Sequence, residues 1–181
     1  MPLRPSAARF RLAFNRLEAL IEQRYGIPVR IRDVPDPFTG DLDGAEIHID
    51  YDVDGEDALF IIAHLFGHTV QWAQGESLRR LGEQEPDPQI SAERLAELHQ
   101  YELDAARYSL ALFHEAGLHD FDQWVSDYFH CDWAYLANFY RSGERGGFRR
   151  FWRDGTKQIT PLTIPDFRPE AWRNRFGGTV V

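Results

Sequence analysis

One stretch of the chain, residues 54–73, constrains the fold more than any other. It opens with acids at Asp54, Glu56 and Asp57, and acids favour the positive N-terminal end of a helix. An apolar run follows at residues 58–63, and the spacing beyond it predicts one helix from Ala58 to about Ala73. The run is far shorter than the roughly 18 residues that a membrane-spanning helix needs, so we expect no membrane partner.

Shorter patterns on either side of this helix predict the rest of the fold. Residues 27–34 and 45–51 alternate apolar and polar positions, which indicates two half-buried strands separated by turn residues at 35–40. Helical spacing predicts helices at 7–25, 91–116 and 121–141, with Ser6, Ser91 and Asp120 as N-caps. The fold class is therefore predicted as α+β: a mainly helical domain whose small β-sheet precedes the helix over 58–73.

The length of 181 residues predicts a single domain. Residues 27–116 form its predicted core, and 117–158 form a helical C-terminal part. The segment 159–181 is spaced by prolines and rich in aromatic residues, Phe176 among them. We expect it to be an extended arm packed over the domain rather than a second domain.

Composition excludes several classes of partner and site. The 20 Lys and Arg residues are outnumbered by 29 Asp and Glu residues, which gives a net charge of −9 and offers no general attraction to nucleic acid. The lone cysteine, Cys131, excludes a disulfide framework and a CxxC zinc site, and it favours a reducing, cytoplasmic location. The N-terminal stretch 1–16 is rich in arginine, but it continues directly into a helical pattern, so we expect a helix and no targeting signal.

Two histidines on the central helix are candidate metal ligands. His64 and His68 are four residues apart, which places both imidazoles on one helix face about 5–6 Å apart. Both ring nitrogens can then reach one tetrahedral ion at roughly 2.0–2.1 Å. The pair alone is a weak signal, because two buried histidines bonded to carbonyl groups would give the same pattern without metal.

A third ligand is available on the next predicted helix. Glu102 and Asp104 stand among apolar residues there, and either carboxylate could complete a two-histidine, one-carboxylate site. The two acids point about 200° apart on a helix, so only one of them can face the histidines. Acids at the edge of an apolar stripe are also commonly solvated, and the residues alone leave these alternatives open.

This order of elements resembles the minimal gluzincin metallopeptidases of the ImmA/IrrE type. The likeness covers residues 27–116 and rests on two blocks: 46–71, which contains the strand and the His-x-x-x-His helix, and 102–109, which is similar to the family's Glu-x-x-Ala block. The resemblance implies a single bound zinc ion with His64, His68 and Glu102 as its ligands. If the register of the second block were shifted by two residues, Asp104 would take the place of Glu102.

The chain departs from the family at Leu65. In the motif His-Glu-x-x-His, the glutamate is the general base that activates the zinc-bound water, and leucine cannot accept a proton. The leading hypothesis is therefore a zinc-binding, metallopeptidase-like protein whose peptidase machinery is degenerate. One alternative is an active hydrolase with a relocated base, such as Asp104 or an acid elsewhere. The other is a metal-free helical module that binds a protein or peptide, with the aromatic arm as its contact surface.

The remaining histidines have simpler interpretations. His99 precedes Glu102 by one turn; it is expected at the surface, although a role beside the ligands is open. His48 is expected to be solvated on its strand. His114 and His119 are five residues apart, which is wrong for a shared ion, and they fit a helix C-terminus, where cationic side chains are favourable.

Two further segments contain candidate nucleophilic or nucleic-acid-binding residues. His130, Cys131 and Asp132 are adjacent, and neighbouring helical side chains diverge by about 100°, so we predict no nucleophile there and a core position for Cys131. Residues 141–153 interleave five arginines with aromatic residues, which can bind single-stranded nucleic acid. The simpler interpretation is a cationic patch that pairs with the acidic remainder of the chain.

Overall fold

A computed structural model describes residues 4–172 and has the predicted α+β class, mainly helical with a small sheet. The helices are α1 (Ala7–Tyr25), α2 (Gly55–Gln74), α3 (Glu76–Leu81), α4 (Ala92–Glu115) and α5 (Asp122–Ser142). The strands are β1 (Val29–Arg32), β2 (Gly40–Leu42) and β3 (Ile47–Asp50), and short 3-10 turns cover His119–Phe121 and Phe148–Phe151. No helix within residues 4–172 is long and apolar enough to cross a membrane.

The sheet has one strand more than the sequence predicted. β3 lies in the centre, parallel to β1 and antiparallel to β2. β2 has only three residues and begins at Gly40, the last residue of the predicted turn, so it is too short for alternation to reveal. It packs closely on α2: a Cβ added to Gly40 would lie 2.6 Å from Ile61 Cγ2 and 2.9 Å from Leu65 Cδ1. Glycine at position 40 therefore lets the sheet rest directly on the central helix.

Helix capping follows the sequence at most ends. Ser6 and Ser91 accept hydrogen bonds from backbone amides three residues on, and Asp54 accepts from the amides of Glu56 and Asp57. These side chains satisfy amide groups that the first turn of a helix leaves unpaired. Two of the three predicted N-caps, Ser6 and Ser91, are therefore confirmed.

The third predicted N-cap, Asp120, is wrong. α5 begins at Asp122, and its N-cap residue Phe121 makes no side-chain hydrogen bond. Asp120 instead accepts hydrogen bonds from Arg9 of α1 at 2.7–3.1 Å. Asp120 therefore forms a long-range ion pair with α1 and does not cap α5.

The sequence patterns also do not predict the short helix α3.

The central helix α2 is buried along nearly all of its length, from Leu59 to Trp72. It packs against α1 on one side, against α4 on another, and against the sheet. The contact with α4 is closest at Gly67, where an added Cβ would lie 2.2 Å from the backbone oxygen of Ala105. This approach brings the backbones of α2 and α4 together beside the candidate ligands.

Residues 159–172 run without helix or strand and are bound to the domain by backbone hydrogen bonds. Leu162 N donates to Arg107 O at 3.2 Å, and Glu170 N donates to Gly44 O at 3.1 Å. Five apolar side chains of this arm pack against the core: Ile159, Leu162, Ile164, Phe167 and Trp172. Residues 173–181, including Phe176, lie outside the described part of the chain.

Gly44→Ala is expected to detach the end of the arm. Gly44 has φ +98°, which alanine adopts with strain, and an added Cβ would lie 2.3 Å from Glu170 O. We expect faster proteolysis after residue 160 and a loss of about 2 kcal/mol in the free energy of unfolding. Gly117→Ala is the matched control, because Gly117 also has positive φ (+69°) but has open space around it. Equal effects of the two variants on arm proteolysis would contradict the contact argument.

Candidate metal centre

Three buried side chains from two helices converge on one point. α2 supplies His64 and His68, and α4 supplies Glu102. The two Nε2 atoms lie 2.9 Å apart, and Glu102 Oε2 lies 3.2 Å from His64 Nε2 and 3.3 Å from His68 Nε2. The structure thus brings together the three residues that the sequence predicted, and this group could hold a metal ion.

The spacing of these atoms suits a tetrahedral ion. Ligands at about 2.0–2.1 Å from a tetrahedral centre are separated by about 3.3 Å, as the ideal tetrahedral angle requires. Both distances from the histidines to Glu102 match that separation, and the distance between the histidines is somewhat shorter. A small adjustment of the two rings would therefore place one ion among all three atoms.

A chain of hydrogen bonds fixes the orientation of His68. Gln71 Nε2 donates to the backbone oxygen of Tyr101 at 2.7 Å, which leaves Gln71 Oε1 as an acceptor. That oxygen lies 2.9 Å from His68 Nδ1, so Nδ1 carries the proton and donates it. In neutral His68 the lone pair is then on Nε2, which faces Glu102. This support from Gln71 is of the kind that orients metal-binding histidines in proteins.

Aromatic rings hold both imidazoles in place. The Phe60 ring stacks on His64 with centroids 5.1 Å apart, and the Tyr101 ring stacks on His68 at 4.8 Å. His64 Nδ1 is buried and has no hydrogen-bond partner among residues 4–172. The three side chains are almost fully buried, so charges within the group are weakly screened.

Electrostatics favour an ionised Glu102. Burial alone would raise the pKa of its carboxyl group, but the nearby charges of His68 and His64, when both imidazoles are protonated, lower it to about 2. A carboxylate held ionised in a buried site needs a positive counter-charge. Protonated imidazoles or a metal cation can supply that charge.

The choice between Glu102 and Asp104 is resolved by the structure. Asp104 Oδ1 accepts from Gln100 Nε2 at 2.9 Å and lies 3.3 Å from Arg107 Nη1. Its side chain is 31% exposed, whereas that of Glu102 is 6% exposed. Glu102 is therefore the acid on the histidine side of α4, and Asp104 lies at the protein surface.

Leu65 points into the core and not into the group. Its side chain is fully buried and packs on β2 near Gly40. Successive helical residues are turned by about 100°, which explains why position 65 and its neighbour His64 face different surroundings. No proton acceptor is provided from this position.

Asp132 is a residue of this region that sequence reasoning missed. It comes from α5, is 5% exposed, and its Oδ2 has no hydrogen-bond partner among the described residues. Burial raises the pKa of its carboxyl group to about 7; the charge of His64 lowers this pKa, and the charge of Glu102 raises it. Asp132 thus lies within electrostatic range of two predicted ligands. Nothing in the sequence around position 132 signals this, because the contact is between distant helices.

Two adjoining cavities open beside these groups. The first, of about 300 Å³, reaches His64, His68 and Glu102. The second, of about 420 Å³, reaches Asp132. Three residues line both: Leu136, Phe139 and Arg145. The candidate metal ligands are therefore accessible from one cavity and adjacent to another.

The other histidines lie elsewhere. His48 is 1% exposed on the central strand, with Nε2 3.5 Å from Glu46 Oε2, so the prediction of a solvated side chain is wrong. Alternation could not reveal this, because it does not show that β3 is the central strand, with β2 alongside it and Asp41 directly opposite His48. His99 is half-buried against Trp133, with ring centroids 4.8 Å apart, and burial lowers its pKa. His114 lies near the end of α4 and pairs with Asp122 at 2.8 Å.

Cys131 and the arginine-rich segment have structural roles. Cys131 is 1% exposed, which confirms the predicted core position, and burial raises the pKa of its thiol to about 12. Arg149 forms ion pairs with Glu56 and Asp57 at the start of α2. This arrangement matches the interpretation of residues 141–153 as a cationic patch that pairs with acids of the same chain.

Comparison of the chain with protein-family models, with curated proteins and with solved structures gives no match. The likeness to the gluzincins therefore rests on the motif residues themselves. Function has to be argued from the chemistry of the site, since a fold alone does not determine it.

Proposed function

We propose that this chain binds one zinc ion through His64, His68 and Glu102 and is a metallopeptidase-like protein without the usual general base. The hydrogen bond between His68 Nδ1 and Gln71 carries the proposal, because it directs an unprotonated Nε2 at the Glu102 carboxylate. Two lone pairs that face each other in a buried site repel unless a proton or a metal cation lies between them, and one metal cation would satisfy all three facing atoms at once. Two imidazoles with one carboxylate are a ligand set that zinc uses in proteins.

The charges around the group support a divalent ion. Zinc with two neutral imidazoles and the Glu102 carboxylate would carry one net positive charge. Asp132 is a buried carboxyl group in electrostatic range of that position, and its ionised form would balance the charge. Bound cations change the protonation of neighbouring groups in this way.

An open side of the group leaves room for chemistry. Three protein ligands fill three positions of a tetrahedral ion, and catalytic zinc sites keep the fourth for water or substrate. The cavity of about 300 Å³ lies on that side. When bound, zinc would supply Lewis acidity there. His64, His68 and Glu102 would hold the ion, and Gln71 would orient His68.

The proposal takes account of two residues, Leu65 and Asp104, that do not supply the general base of a peptidase. Leu65 cannot act as a base, and Asp104 is held at the surface by Gln100 and Arg107, so neither supplies the proton acceptor that the family's mechanism needs. The metal-free alternative assigned partner binding to the aromatic arm. The apolar side chains of residues 159–172 pack onto the arm's own domain instead, which favours the zinc proposal.

Elemental analysis tests the zinc proposal directly. We expect protein purified without a metal-affinity tag and dialysed after zinc addition to retain about one equivalent of zinc. His68→Ala and Glu102→Gln are each expected to retain less than about a tenth of an equivalent, because each removes a ligand atom. Asp104→Asn is the matched control on α4 and should bind zinc as the wild type does. Zinc below about a tenth of an equivalent in the wild type would overturn the proposal.

A further inference from the structure

The second cavity is distinct from the metal group and has its own chemistry. We propose that it binds an organic cation, namely an amino group carried on an apolar body of about the size of one aromatic ring. The proposal goes beyond zinc binding and does not depend on it, because none of the groups it uses is a predicted metal ligand. It rests on three features of the cavity: its aromatic rings, a buried carboxyl group whose Oδ2 has no hydrogen-bond partner among residues 4–172, and the contacts that its other charged groups already make.

Five aromatic rings line the cavity. They come from α2, α5 and the 3-10 turn Phe148–Phe151. The rings are Phe60, Tyr128, Tyr135, Phe139 and Phe148. Ring faces attract cations as well as apolar groups, and several rings around one space are the usual surroundings of bound ammonium groups in proteins. The volume of about 420 Å³ is within the range of small-molecule sites.

Asp132 supplies a negative charge on this wall. Its side chain lines the cavity, it is 5% exposed, and Oδ2 lacks a hydrogen-bond partner among residues 4–172. A buried carboxylate without hydrogen bonds is costly, so each such group in a folded protein needs an explanation. An ammonium group at this position would donate the missing hydrogen bond and neutralise the charge.

The other charged groups of the cavity are already engaged. Asp57 accepts from Tyr128 Oη at 2.6 Å and forms an ion pair with Arg149. Arg149 also pairs with Glu56, so its charge is compensated by acids of α2. Arg145 lies over the Phe38 and Phe139 rings, 5.1 and 5.0 Å from their centroids, where the two cavities meet. Asp132 is the acid on this wall to which the described residues give neither an ion pair nor a hydrogen bond.

The position of the cavity indicates how such a ligand would lie. Leu136, Phe139 and Arg145 line both cavities, so the two spaces adjoin at these residues. A ligand whose amino group meets Asp132 and whose ring packs on Phe60 and Tyr128 would fill the second cavity alone. A longer amine would extend along the shared wall toward the first.

Matched probes of one size test this proposal. We would titrate the full chain at pH 8 by calorimetry with phenethylamine, neutral 2-phenylethanol and anionic 3-phenylpropanoate. Phenethylamine is expected to bind at least about ten-fold more tightly than 2-phenylethanol, and 3-phenylpropanoate more weakly than both, because only the amine pairs with the buried carboxylate. The order should be the same with and without added zinc. Failure here would therefore leave the zinc proposal standing.

Two variants connect the preference to this cavity. Asp132→Asn keeps the shape of the side chain and is expected to bind the amine and the alcohol equally, whereas Asp104→Asn should keep the wild-type preference. Tyr135→Leu removes one ring and should weaken amine binding about three-fold without affecting zinc content. Equal binding of amine and alcohol by the wild type, absence of binding by the amine, or an unchanged preference in folded Asp132→Asn protein would each overturn the proposal. The last result would assign Asp132 another role, such as proton transfer.

Discussion

Gly67→Ala is expected to destabilise the protein by about 3 kcal/mol and to weaken zinc binding with it. The added Cβ would lie 2.2 Å from the backbone oxygen of Ala105, 2.8 Å from its carbonyl carbon and 2.9 Å from its Cα. These are main-chain atoms of α4 and cannot turn aside as the end of a side chain can. The helices would have to separate. Since Gly67 precedes His68 and Ala105 lies one turn after Glu102, the separation would open the ligand group.

Gly55→Ala on the same helix is the matched control. An added Cβ there meets no atom within 4 Å, so the better helix propensity of alanine should leave stability unchanged or slightly higher. Denaturant unfolding gives the stability of each variant, and competition with a chromogenic chelator gives its zinc affinity. The close-packing argument fails if Gly67→Ala is as stable as Gly55→Ala. Unchanged zinc affinity in a destabilised Gly67→Ala protein would show that this contact does not position the ligands.

The parts of the site found from sequence are those with a local signature. His64 and His68 are recognisable because four residues make slightly more than one helical turn, whatever the helix packs against. Spacing alone did not identify Glu102, because the residues allowed either Glu102 or Asp104 as the third ligand. The family resemblance favoured Glu102. The structure places Glu102 on the same side as the histidines because Gly67 allows α4 to approach α2.

The features missed from sequence all depend on contacts between distant segments. From the sequence, Asp132 is one of many acids on a helix, and its position beside α2 follows only from the packing of α5. From the sequence, Asp120 is a helix cap, but in the structure it accepts a hydrogen bond from Arg9 of α1. From the sequence His48 is expected to be solvated, but in the structure it lies on the central strand with Asp41 of β2 opposite it. In each case the local sequence pattern is a normal one, but a contact with a distant segment determines what surrounds the side chain. Periodicity and capping rules do not describe such contacts.

Asp132→Asn is expected to stabilise the metal-free protein, and more so as the pH rises. The carboxyl group of Asp132 has a folded-state pKa of about 7, above its value of about 3.9 in the unfolded chain. Between these two values the folded state binds more protons than the unfolded state, so this group makes stability fall as the pH rises through that window. The unfavourable contribution of Asp132 grows from about 1–2 kcal/mol at pH 5 to roughly 4 kcal/mol at pH 8, and asparagine makes no such contribution because it does not ionise.

The measurement is the free energy of unfolding of both proteins at pH 5 and pH 8, with chelator present. The difference between them should widen by about 2–3 kcal/mol in favour of the variant at the higher pH. Titrating groups that do not interact with Asp132 are common to both proteins and cancel in that difference, whereas His64 and Glu102 interact with Asp132 and contribute to it. Zinc should shrink the advantage of Asp132→Asn, because the ionised carboxylate would then lie near a cation. An advantage that does not change with pH would mean that Asp132 is ionised in the folded protein as readily as in water.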